Sequence, residues 1–169
     1  TQSRSSAASD VYKRQGQCIF ESVTASDDLL KLDNQLCFAL VTAARNVVAI
    51  YRPILEPLGL THPQYLVMLA LWERAPRPLN DLAADLALEP ATASPLVKRL
   101  EADGLVARQR SVEDERRLDI TLTDAGRALR GRALDVPRQV MTAVGMDLQQ
   151  IATLRDGLSA FAGRRSAQE

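Results

Sequence analysis

Histidine occurs once in this 169-residue chain, as His62, and cysteine twice, as Cys18 and Cys37. A zinc centre takes about four N, S or O ligands, and neither cysteine belongs to a C-x-x-C pair. No metal site is expected, and two cysteines do not make a disulfide framework. Aromatic residues make up 4% of the chain, which suits an aliphatic helical protein better than a β-sandwich. Net charge is also missing: 21 basic residues balance 21 acidic ones. No global positive field draws the chain to nucleic acid, so any such role rests on where the charges sit. No uninterrupted apolar run approaches the roughly 20 residues of a membrane span, and no basic-then-apolar leader opens the chain. A cytoplasmic protein without a membrane partner is expected. Carboxylate pairs, nucleophile triads and phosphate loops are absent too, so neither enzymatic activity nor a cofactor is implied.

What is present is an apolar fraction of 46%, enough for one compact domain at this length. The first fifteen residues, with Ser5-Ser6-Ala7-Ala8-Ser9-Asp10-Val11-Tyr12-Lys13-Arg14-Gln15, are polar and aperiodic. They resemble the translation of a sequencing adapter and are set aside. Residues 16–28 and 164–169 read as tails, and 29–163 as a single domain. Within it, 29–60 and 124–163 supply dimerisation helices, and 61–123 a winged helix-turn-helix.

The pattern behind that division is helical. Cys37, Val41, Ala44, Val48, Tyr51 and Leu55 form one stripe over 29–55, widened by Leu36, Leu40, Val47 and Ile54. So wide an apolar arc predicts more than one partner. Pro53 and Pro57-Leu58-Gly59 are expected to end that helix. Thr61 and Gln64 have capping-box spacing before the apolar run Tyr65 to Trp72. Leu79, Leu82, Ala83 and Leu86, then Ala93, Leu96, Val97 and Leu100, predict two short helices around a tight turn, with Gly104 as a left-handed cap. Residues 105–110 and 118–122 have strand character and flank a charged loop, making a wing. Thr123 starts a helix that Pro137 kinks or ends, and Asp147 with Gln150 opens a last one. The fold class is mainly α, about six helices with a small β-hairpin.

The second helix of the pair exposes Thr92, Ser94, Pro95, Lys98 and Arg99 on the face opposite its apolar stripe. Hydroxyls near its start suit base edges, and the cations a turn later suit phosphates; the plainer alternative is a solvated face. Pro95 fits best if the helix begins near Thr92 and so places it in the first turn. In the wing, Arg108, Arg110, Arg116 and Arg117 are offset by Glu113, Asp114 and Glu115. That balance suits one arginine steadied by a carboxylate for entry into a narrow minor groove, or else a salt-bridged hairpin tip.

The run Leu96-Val97-Lys98-Arg99-Leu100-Glu101, then Gly104-Leu105-Val106, and Asp114-Glu115-Arg116-Arg117 through Leu122-Thr123 resembles the MarR family of regulators over residues 29–163. The wing's Asp114-x-Arg116 is its hallmark. Leu36-Cys37-Phe38-Ala39-Leu40 and Pro63-Gln64-Tyr65 through Glu73 resemble its organic hydroperoxide resistance branch. That resemblance implies a homodimeric repressor on a palindromic double-stranded operator, with Cys37 as peroxide sensor. Tyr51 matches one tyrosine that polarises the sensor thiol, while His62 and Val41 stand where two others would be. With no later cysteine, and unless Cys18 is native and reaches it, oxidised Cys37 would pass to a mixed disulfide with a small thiol. The alternatives are a structural Cys37 in a regulator released by a small phenolic or aromatic ligand, a thiol peroxidase, or a protein-interaction module. Cys37 and Tyr51 lie fourteen residues apart, about 21 Å along one helix. They would meet only across an antiparallel dimer.

Overall fold

The computed structural model describes residues 28–110 and 118–162. The adapter-like peptide, Cys18, and Asp114, Arg116 and Arg117 of the wing tip lie outside the described residues. The chain divides into two compact units that part between Asn46 and Val47.

In the first unit, two 3-10 turns at Asp28–Leu30 and Leu32–Asn34 precede helix α1 (Leu36–Leu55), which runs on into the second unit. The helix therefore starts seven residues later than the apolar pattern predicts. The side chains of Asn34 and Gln35 bond back to the carbonyls of Asp28 and Leu29 and hold the turns instead. Pro53 does not end α1 either. The helix passes through it to Leu55, continues as a 3-10 turn over Glu56–Leu58, and stops at Gly59, whose φ of 70° is left-handed. A proline this close to a terminus removes one of the last intrahelical bonds and leaves the remainder intact. The segment Leu36–Leu58 has the length and hydropathy of a membrane span. Counting uninterrupted runs misses this, because Arg45, Asn46 and Arg52 break the run while the window average stays apolar.

The second unit holds the core. Helix α2 (His62–Glu73) is its centre, opened by the expected capping box: Thr61 accepts from the Gln64 amide and the Gln64 side chain accepts from the Thr61 amide. Tyr65, Val67, Met68 and Leu71 are buried along it. Helices α3 (Leu79–Asp85) and α4 (Pro90–Ala102) form the helix-turn-helix, and Gly104 takes the left-handed cap at φ 72°. Strands β2 (Val106–Arg110) and β3 (Leu118–Leu122) pair antiparallel from Val106 opposite Leu122 to Arg110 opposite Leu118. A third strand, β1 (Arg77–Pro78), pairs with β3 and gives the order β1-β3-β2. Sequence reading takes 75–78 for a plain break, since two residues including a proline carry no strand periodicity.

Helix α5 (Asp124–Ala133) is capped by Thr123. It ends before α6 (Val136–Val144), in which Pro137 sits in the first turn. Pro137 thus lies in the first turn of a separate helix, the sixth of seven α-helices among the described residues. Helix α7 (Leu148–Ala162) opens on reciprocal Asp147–Gln150 bonds. Its Leu148, Leu154 and Leu158 are exposed, as are Leu36, Val41, Val47 and Val48 of α1.

The helix-turn-helix turn contains Ala87 at φ 53°, a left-handed conformation that side chains with a Cβ adopt at a cost. Ala87→Gly is expected to raise stability by about 0.5–1 kcal/mol, read as a higher urea midpoint at unchanged slope.

Candidate nucleic-acid interface and redox site

Helix α4 buries Ala93, Val97 and Leu100 against the core, with Leu96 half-buried beside them. That choice of inward face turns Thr92, Pro95, Lys98 and Arg99 outward to full exposure, with Ser94 half-buried at the margin. Five of the sequence-predicted DNA residues therefore lie on one helix. Its N-cap is Glu89 and its first residue Pro90, so Pro95 stands inside the helix and not in the first turn. The amide that Pro95 lacks would have bonded the carbonyl of Ala91, an exposed residue that water can serve.

In the wing, Arg110 is exposed near the tip. Arg108 does not project freely. Its Nε and Nη2 donate to Glu101 Oε2 of α4 at 2.8 and 2.5 Å. This hydrogen bond holds the Glu101 carboxyl below the usual carboxylate range. Arg108, one of the sequence-predicted DNA residues, is thus tied to α4 by its pair with Glu101.

Sequence reasoning also missed Arg77, which is 3% exposed. Its Nη1 donates to the carbonyl of Ala70 at 3.3 Å and its Nη2 to Asp85. The signal available was an aspartate in the last turn of a short helix, where free carbonyls disfavour an acid.

The residues predicted from sequence for a redox site fall on both units. Cys37 is a free, exposed thiol on α1. Tyr51 and His62 belong to the second unit, where their rings meet edge-on at 4.9 Å. Tyr51 also lies 5.9 Å from Tyr65, which lies 6.3 Å from Trp72. Burial raises the Tyr51 phenol above its ordinary value and lowers His62. Burial therefore favours the neutral imidazole, which donates through a single nitrogen. Val41 is exposed on α1 and offers no donor. Among the described residues, no cluster of three or more His, Cys, Asp or Glu is placed to hold a metal ion.

The protein family described as "Transcriptional regulator SarA/Rot" matches residues 49–131. The HTH-type transcriptional regulator TtmR of Methylorubrum extorquens (strain PA1) is 43% identical over 149 residues, 84% of this chain and 76% of the relative. The organic hydroperoxide resistance transcriptional regulator of Bacillus subtilis (strain 168) is 40% identical over 127 residues, 73% of this chain and 86% of the relative. Among solved structures, reduced AbfR bound to DNA has a TM-score of 0.67 at 32% identity, covering 82% of this chain and 96% of that one. The helix-turn-helix with its exposed polar face and three-stranded sheet, together with these relatives, makes the chain a DNA-binding transcription regulator. More narrowly, the chain belongs to the MarR-like SarA/Rot family of winged-helix regulators.

Proposed function

We propose that this protein is a cytoplasmic homodimeric repressor that leaves its palindromic operator when an organic hydroperoxide oxidises Cys37. The observation that carries the reading is an exposed, unpaired thiol on α1, in a chain 40% identical to a hydroperoxide resistance regulator. Thiolate is the attacking form. Its sulfur takes the terminal peroxide oxygen, the O–O bond breaks, and the products are a sulfenic acid and the alcohol. A low-molecular-weight thiol then condenses with the sulfenic acid, releasing water and leaving a mixed disulfide. The partner subunit's Tyr51 donates a hydrogen bond to the sulfur and stabilises thiolate over thiol, and His62 supports that phenol from its edge.

The exposed leucines and valines of α1 and α7 support a dimer built from those helices, since isolated apolar faces of this extent require a cover. On this reading the membrane-like hydropathy of α1 is that of a subunit interface. A two-fold dimer presents two α4 helices to the half-sites of a palindrome. Oxidation adds bulk and polarity between close-packed helices, and their shift moves the two α4 helices off register. Arg116, steadied by Asp114, enters the minor groove on this reading, with Arg110 and Arg117 as the wing's other DNA-binding cations.

The test is operator binding with and without cumene hydroperoxide, comparing wild type with Cys37→Ser. Both bind DNA when reduced, wild type dissociates on oxidation, and Cys37→Ser stays bound. Release of the serine variant by hydroperoxide would sink the reading and favour a ligand-gated regulator.

A further inference from the structure

We infer that two ion pairs, Arg77–Asp85 and Arg108–Glu101, clamp the wing to the two helices of the helix-turn-helix and set its position for reading DNA. The inference rests on the DNA-binding function above and assigns these residues a positioning role. The strand order β1-β3-β2 leaves β1 and β2 as the edges of the wing sheet. β1 carries Arg77 and β2 carries Arg108 beside Arg110; Arg77 and Arg108 each reach a carboxylate on a different helix of the pair. Arg77 of β1 meets Asp85, the last residue of α3. Arg108 of β2 meets Glu101, next to the last residue of α4.

The location of both acids argues against chance helix decoration. A C-terminal turn presents free carbonyls and repels carboxylates. Asp85 and Glu101 therefore sit where their own helices disfavour them, and the arginine across the gap offsets that cost. The two pairs differ in setting. Arg77 is buried, and it also donates to the Ala70 carbonyl of α2 while its backbone pairs with Ile120 of β3. One residue thus joins the central helix, the first helix of the pair and the sheet. Arg108 and Glu101 are about one-third exposed, with side-chain accessibilities of 35% and 33%. An exposed pair adds little to global stability, so its effect is expected in the geometry it fixes. A wing held at both edges cannot rotate away from α4, and its tip arrives at the duplex already oriented. Preorganisation of this kind lowers the ordering cost of binding.

Asp85→Asn, Glu101→Gln and the double variant test the clamp in the full-length protein. The probes are a duplex enriched from a random pool by wild type and an unselected duplex of the same length, both at fixed salt. Removing an acid raises affinity for any DNA, so the quantity read is the ratio of the two affinities. The double variant is expected to lose about tenfold in that ratio, the scale of one specific contact. Without DNA, amide exchange in β2 and β3 should accelerate while α2 stays protected. Pairing Glu101→Arg with Arg108→Glu should restore both quantities. If the double variant is too unstable, Glu101→Gln alone suffices, because its pair lies at the surface. An unchanged ratio, unchanged exchange, or a swap that restores neither overturns the clamp. If wild type enriches no duplex, the DNA-binding function itself fails, and exchange alone then judges the clamp.

Discussion

Gly126→Ala should leave a protein that unfolds well below the wild-type temperature, at a cost of about 3 kcal/mol, the upper end for overpacking a filled site. A Cβ on Gly126 would stand 2.0 Å from the Leu105 carbonyl oxygen and 3.1 Å from its carbon. Both are backbone atoms and have nowhere to go. The same oxygen accepts the Thr123 amide at 3.1 Å, so moving it breaks the cap of α5 as well. The Gly126 carbonyl in turn accepts from Trp72 Nε1 at 2.9 Å, which fixes α5 on α2. Space, not backbone freedom, requires glycine here. Gly131, five residues on in the same helix, provides the control, because nothing lies within 4 Å of its added Cβ. Gly131→Ala should gain about 0.5–1 kcal/mol from helix propensity and lost chain entropy. Equal urea midpoints for the two variants would refute the packing argument.

Neighbouring residues of α4 should give opposite phenotypes. Leu100 is fully buried in the core cluster with Leu82, Met68 and Ile120. Leu100→Ala is expected to cost about 2–5 kcal/mol, from lost transfer free energy and the cavity left behind. Arg99 is exposed one position away. Arg99→Ala should leave the melting temperature in place and weaken DNA binding uniformly across sequences, with a shallower salt dependence, as loss of one phosphate contact does. A stable Leu100→Ala protein, or an Arg99→Ala protein with wild-type salt dependence, would show that the inner and outer faces of α4 are misassigned.

How legible these faces were follows from what sequence periodicity encodes. Val97, Lys98, Arg99 and Leu100 can be sorted by a 3.6-residue period alone, and the caps at Thr61, Gly104, Thr123 and Asp147 follow from local side-chain chemistry. The same local rules misplaced Pro53, expected to end a helix that runs on to Leu55, and left the place of Pro95 open. A proline near a helix terminus removes one bond and leaves the rest intact. Tertiary pairing was out of reach for a different reason. Arg77 and Asp85, or Glu101 and Arg108, are ordinary charged residues until the chain folds back, and no period links them. Arg108 illustrates this: as a basic residue in a wing it reads as a DNA ligand, and its attachment to Glu101 appears only in the fold. Strand β1, at two residues, is shorter than any period. Cys37 was found from its family resemblance, since a cysteine on an apolar stripe otherwise reads as core.

The chain has a single tryptophan, Trp72, and its indole is anchored to the Gly126 carbonyl at the contact of α2 with α5. Its ring also ends a file that runs through Tyr65 to Tyr51 and His62. The protein therefore contains its own optical probe at an informative place. Ultraviolet emission from one indole reports the seating of α5 on α2 during unfolding, free of interference from other tryptophans. Because aromatic rings connect that indole to Tyr51, a rearrangement at Tyr51 should change the emission in unlabelled protein, in real time and in the absence of DNA.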